Sequence, residues 1–211
     1  MAENRNALQS YYRLLAQKCL DTLKPQGIEG IYVENKASAV NAICEMVPED
    51  ATVSKGGSLT LAELGILDTL KEKGCHLIDP AAGKGGAEID ALAHEAIASD
   101  VYLMSANALA ATGEIVNIDG IGNRAAALCY GPKKVIIIAG VNKLTEDLHA
   151  AIQRAQGIAS ATTVLSYGQE FDTFDQLLSA GKQAGKHMLI TRGSVIPKRI
   201  YLIIVGESLG F

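Results

Sequence analysis

Apolar residues recurring at steps of three and four mark amphipathic helices, and short unbroken apolar runs mark strands buried in a sheet. Leu8, Tyr12, Leu15, Cys19 and Leu23 predict a helix over 4–24, stopped by Pro25 and Gly27. Ile31–Val33 reads as a short strand, and Val40, Ile43, Cys44 and Val47 share one face of a helix over 37–47 ended by Pro48. A strand at Ala51–Ser54, a helix over Ser58–Lys73 and a strand at His76–Ile78 follow. The Gly-rich stretch Ala81–Glu88 reads as a loop, then a helix over 88–98 and a strand at Val101–Met104. Residues 105–123 fit neither period cleanly, and the Thr112-Gly113 turn predicts an irregular hairpin. A helix at Arg124–Tyr130 stops at Gly131-Pro132, and the β-branched run Val135–Ala139 has the character of a strand covered on both faces. The remaining expectations are a helix over 145–156 opening on Thr145, Glu146 and Asp147, a short strand at Thr163–Leu165, a helix over 171–180, and strands at Met188–Thr191 and Arg199–Val205.

Strands alternating with helices of this length call for parallel pairing and right-handed crossovers. The expected fold is α/β: a three-layer α/β/α sandwich around a mostly parallel sheet, Rossmann-like. One domain over 1–211 is expected, with 1–27 an N-terminal helix packed on it.

Composition narrows the function classes. Hydrophobic residues make up 48% of the 211 and charged ones 20%, enough apolar surface to offset the entropy of ordering the chain. A net charge of -4 and the absence of Trp argue against a nucleic-acid partner, which needs a basic face and stacking platforms. The opening MAENRNALQS lacks the layout of a secretory signal, and Val135–Val141 is too short to span a bilayer, so a cytoplasmic protein without a membrane segment is expected. Cys19, Cys44, Cys75 and Cys129 are scattered with no CxxC pair, and no HExxH occurs, so no metal site is expected. No motif specifies a cofactor.

In parallel sheets, ligands bind beyond the carboxyl ends of the strands. Three loops fall there. Lys55-Gly56-Gly57-Ser58 joins a strand to a helix; it either makes only a turn and a cap, or presents backbone N–H groups, Lys55 and the Ser58 hydroxyl to an anion. Thr112–Arg124 crowds Glu114, Asn117, Asp119, Asn123 and Arg124 among glycines, polar groups that must pair with each other or with a ligand. Either carboxylate is a candidate base or nucleophile, and Arg124 a candidate anion clamp. Gly140-Val141-Asn142-Lys143 follows the central strand and carries a lysine toward the same rim, as a solvated side chain or as a ligand contact. No GxSxG elbow, Walker loop or GxGxxG fingerprint is present.

These loops resemble those of the LUD-domain family, the lactate-utilization proteins. The matching text is Val53–Leu61, Gly113–Gly120 with Gly122-Asn123-Arg124, Gly131–Ile136, Ala139–Lys143 and Gly206–Phe211. The resemblance implies the fold shared by ribose-5-phosphate isomerase, glucosamine-6-phosphate isomerase and the CoA transferases, a role in oxidising lactate to pyruvate, and iron–sulfur oxidoreductase subunits as partners. Two features depart from relatives. Ile158–Pro197 contains no Cys, where many LUD proteins carry a Cys-rich segment. Asn107 stands where methylthioribose-phosphate isomerases place a catalytic Asp, and an amide takes no proton at neutral pH. The leading expectation is a small anionic ligand between the Gly56-Gly57-Ser58 loop and Glu114–Arg124, with Lys55 and Lys143 supplying charge, Asn107, Asn117, Asn123, Arg124 and Asn142 orienting, and Glu114 or Asp119 as base. A non-catalytic subunit of an iron–sulfur complex, and a sugar-phosphate isomerase or CoA transferase, are the alternatives. A homodimer is the commonest assembly for a protein of this kind.

Overall fold

The computed structural model describes the backbone of residues 2–211 and the side chains of residues 7–211. Helix α1 (Ala2–Leu23) places Ala16, Cys19, Leu20 and Leu23 on one buried face and ends in a tight turn at Lys24–Gln26. Strand β1 (Glu29–Val33) leads to α2 (Lys36–Met46), whose first turn is capped by Asn35, and then to β2 (Thr52–Lys55). The helix expected over Ser58–Lys73 is two, α3 (Leu59–Leu64) and α4 (Ile66–Glu72). They break at Gly65, whose φ of 62° is left-handed and turns the chain so that Leu64, Ile66 and Leu70 all reach the core.

Strand β3 (His76–Ile78), α5 (Gly86–Ile97) and β4 (Val101–Met104) come next. The irregular stretch is an antiparallel hairpin, β5 (Ala108–Ala110) and β6 (Glu114–Asp119), followed by α6 (Asn123–Tyr130) and β7 (Lys134–Gly140). Leu144–Thr145 is a short strand, β8, paired with β5, so α7 (Leu148–Arg154) starts later than expected, with Asp147 accepting from Ala150 N at 2.8 Å.

The helical path continues through a wide π turn at Ala155–Ala159 into α8 (Ser160–Ser166). This corrects the strand expected at Thr163–Leu165. Within the helix the β-branched pair Thr162-Thr163 turns both hydroxyls to carbonyls one turn back, Ile158 and Ala159, at 2.6 and 2.7 Å. Helix α9 (Phe174–Ala184), β9 (His187–Thr191) and β10 (Ile200–Val205) complete the chain.

Six strands form an all-parallel sheet in the order β1-β10-β7-β4-β2-β3. Strand β7 lies inside it, and its alternation divides the core. Val135, Ile137 and Ala139 face α1, α5 and α6, while Ile136 and Ile138 face α2, α3 and α4. This is the three-layer α/β arrangement, and it brings the carboxyl ends of β2, β4, β7 and β10 to one rim. A second sheet, β8-β5-β6-β9, leans on the first through Leu109 and Ile115 and is covered on its other face by Ala151 of α7 and Ala155 of the π turn. Strand β9 therefore pairs antiparallel with β6. No helix among the described residues is long and apolar enough to cross a membrane.

Candidate functional site

Lys143, in the turn after β7, extends under the rim and is 4% exposed. Its Nζ donates to Ser105 Oγ at 2.9 Å, just past β4, and to Thr60 Oγ1 at 3.0 Å in α3. No carboxylate among the described residues lies within ion-pairing distance of it. Burial, followed by the charges of Arg154 and Arg124, pulls its pKa from 10.5 down to about 7. The segment Leu209–Phe211 passes over the amine: a Cβ on Gly210 would lie 3.5 Å from Nζ. Lys143 thus lines a pocket of about 70 Å3 shared with Ser58, Thr60, Ser105 and Phe211.

Gly57, Asn107, Arg124 and Thr163 belong both to that pocket and to an adjoining cleft of about 400 Å3. Arg124, at the start of α6, is oriented by Asp119: Nε and Nη2 both reach Oδ1, at 2.6 and 2.5 Å, while Asp119 Oδ2 accepts from Ala125 N at 2.8 Å. Asp119 thereby holds a guanidinium and the first turn of α6 together. Nη2 also donates to Ile118 O and Asn107 Oδ1. Gly56 lies against this arginine, where a Cβ would come within 2.6 Å of Arg124 Cγ, so the close approach requires glycine. Nothing lies within 4 Å of a Cβ built on Gly57, which faces open cleft.

Residues 16–205 match the family model of the LUD domain. The chain belongs to the LUD-domain family. A solved DUF162-family protein from Deinococcus radiodurans shares the fold at 14% identity and a TM-score of 0.54, over 92% of this chain and 98% of that one. The eIF2B delta subunit from Chaetomium thermophilum aligns at 15% identity and a TM-score of 0.37, over 73% of this chain and 62% of that one. No curated protein matches the chain.

In this LUD domain the residues singled out from the sequence separate into two groups. Gly57, Ser58, Asn107, Arg124 and Lys143 surround the pocket, and Asp119 and Asn123 line the adjoining cleft. The others serve elsewhere. Lys55 pairs with Asp79 at 3.1 Å. Asn117 is buried, donating to Ser105 O at 3.1 Å, and its Oδ1 lacks a partner among the described residues. Asn142 clips the C-terminal segment, accepting from Leu209 N at 3.0 Å and donating to Gly210 O at 3.1 Å. Glu114 starts β6 and Asp119 ends it, five residues and about 17 Å apart at the rise of a strand. Glu114 instead accepts from Thr112 Oγ1 at 2.6 Å, close to α1 and away from Lys143.

Thr60, Ser105, Thr163 and Arg154 line or support the LUD pocket without having been singled out from the sequence. Arg154, in α7, donates Nε to Asn142 O at 2.9 Å and Nη1 to Asn107 O, and burial lowers its pKa to about 10. Its guanidinium is bonded to carbonyls alone among the described residues, so it leaves a net positive charge behind the pocket. No group of three or more His, Cys, Asp or Glu among the described residues is placed to share a metal ion. The chemistry this arrangement offers is an amine held by two hydroxyls, with two guanidiniums nearby, beside a small pocket.

Proposed function

We propose that this LUD domain serves organic-acid metabolism of the lactate type by binding a small anionic ligand between Gly57-Ser58, Ser105–Asn107 and Lys143. The observation carrying this reading is the charge balance at the rim. Arg124 is neutralised by Asp119, whereas Lys143 and Arg154 have no carboxylate partner among the described residues. A low-dielectric pocket with excess positive charge attracts an anion from water. Lys143 is the group that exchanges a proton near neutral pH, Asn107 and Arg124 orient the ligand, and Asp119 holds Arg124.

Gly57→Val tests the reading. Its backbone is outside the left-handed region and its Cβ meets open space, so valine folds normally and fills the cleft. Calorimetric titration with lactate, pyruvate and inorganic phosphate is expected to give binding to the wild type and at least about tenfold weaker binding to the variant. Equal affinities in the two proteins would refute the assignment.

A further inference from the structure

We infer that Lys143 is a covalent nucleophile whose Nζ, held between the hydroxyls of Ser105 and Thr60 at the floor of the pocket, forms a Schiff base with a small anionic aldehyde or ketone. This rests on the anion-binding reading above and adds the reactive group that the ligand must carry.

The partners of Nζ set this lysine apart from the chain's structural lysines. Lys73 spans the carbonyls of Cys44 and Val47, and Lys134 reaches Met46 O, bonds that a charged ammonium makes to tie elements together. Among the described residues Nζ of Lys143 bonds only to hydroxyls, which accept from an ammonium or donate to a free amine equally well. The two hydroxyls are not equivalent. Thr60 Oγ1 donates to Leu209 O at 3.3 Å, so its proton is committed. Ser105 Oγ has only a long contact to Ala106 O at 3.5 Å, so its proton is free to turn toward Nζ or toward a bound oxygen. With its pKa near 7, a substantial share of Lys143 is the neutral amine that nucleophilic attack requires.

The reaction is a condensation with no redox change. The Nζ lone pair attacks the carbonyl carbon and forms the C–N bond. The carbonyl oxygen, protonated through Ser105, becomes a carbinolamine hydroxyl. Ser105 recovers that proton from Nζ, and the second Nζ proton passes by the same route to the hydroxyl, which leaves as water as the C=N bond forms. The pocket of about 70 Å3 suits a molecule of few heavy atoms, and the excess charge of Arg154 selects one with a carboxylate or a phosphate.

Borohydride trapping with peptide mapping by mass spectrometry tests this, with pyruvate supplying the carboxylate and dihydroxyacetone phosphate the phosphate. The expected result is one reduced adduct, on the Lys143 peptide of the wild-type chain, at about tenfold or more the level on any other lysine, with one of the two probes. Lys143→Arg is expected to lower labelling to the background of surface lysines, and Ser105→Ala to slow trapping at least about tenfold. Labelling spread over surface lysines, or none with either probe, would overturn the proposal, and the wild-type map decides this even where a variant fails to fold. Titration with lactate and inorganic phosphate, which lack a carbonyl, separates the two levels. Anion binding without an adduct refutes the covalent step alone, whereas neither binding nor adduct refutes the site as well.

Discussion

Replacing Lys143 with methionine tests whether the amine is buried as described. Methionine keeps the length and volume of the stem and removes the charge. Each tenfold change in proton affinity is worth about 1.4 kcal/mol, so a fall from 10.5 to about 7 corresponds to about 5 kcal/mol between the charged and neutral forms. The unfolded chain holds this proton up to about pH 10.5, while the folded chain releases it near 7, so between those values the unfolded state binds more protons. The wild type therefore gains stability as pH rises through this window, and below it bears the full cost of the buried charge. The variant escapes that cost but leaves the Ser105 and Thr60 hydroxyls each short of one bond, a loss of about 1 kcal/mol apiece. The net expectation is a Lys143→Met chain more stable by about 2–4 kcal/mol near pH 6, an advantage that shrinks or reverses toward about pH 10. Urea unfolding of both proteins across this range, followed by circular dichroism, measures it. A stability difference that stays constant with pH would show that Lys143 titrates as an exposed lysine, and the electrostatic argument for the pocket would fall with it.

Three further outcomes follow from named contacts. Arg124→Met strands the Asp119 carboxylate, which is 4% exposed, and is expected to cost about 3–5 kcal/mol in chemical denaturation; adding Asp119→Asn should restore part of it. Arg199, in front of β10, donates from its guanidinium to Ala127, Leu128 and Pro132 carbonyls and so closes the end of α6; Arg199→Leu leaves these acceptors dry and should lower stability by about 2–4 kcal/mol, read the same way. Asp100 is held down to about 2 chiefly by the Thr52 hydroxyl, with Lys133 and the Thr52 amide adding to it. Its folded pKa lies below the unfolded value of 3.8, so its contribution is present above that value and is lost as pH falls toward 2. Thr52→Val should weaken this acid dependence in unfolding curves recorded between those limits.

The parallel sheet was legible because its central strands announce themselves. Val135–Ala139 is an unbroken aliphatic run and Ile200–Val205 is broken only by Tyr201, the pattern of strands covered on both faces. Thr163–Leu165 misled because β-branched residues in a short run favour a strand locally. What decided the matter is remote from it: Gly181 of α9 lets Ala161 approach so closely that a Cβ there would stand 2.8 Å from its backbone nitrogen, and that packing favours a helix. The hairpin and the strand at Met188–Thr191 were expected, but their union with β8 in a second sheet was illegible for a related reason. Strand β8 is two residues long and exists only because Leu144–Thr145 meets Leu109–Ala110, a pairing with no local signature.

The carboxylates show how much more the sequence held than the irregular hairpin read over 105–123. Ile115 and Val116 belong to different core clusters, so alternation along β6 puts Ile115, Asn117 and Asp119 on one face and Glu114 on the other. Glu114 and Asp119 therefore sit at opposite ends and on opposite faces of β6. Period-two counting over Glu114–Asp119 would have shown this without coordinates. Lys143 is different in kind. A lysine after a buried strand is ordinarily solvated, and this one is buried because Thr60, Ser105 and the segment Leu209–Phe211, none adjacent to it in sequence, close around its amine. Its altered proton affinity therefore belongs to the assembled rim. Opening the Asn142 clip with Asn142→Ala, which frees Leu209 and Gly210 and admits water to the amine, should move the pKa of Lys143 back toward that of an ordinary lysine, whereas a local cause would leave it near 7.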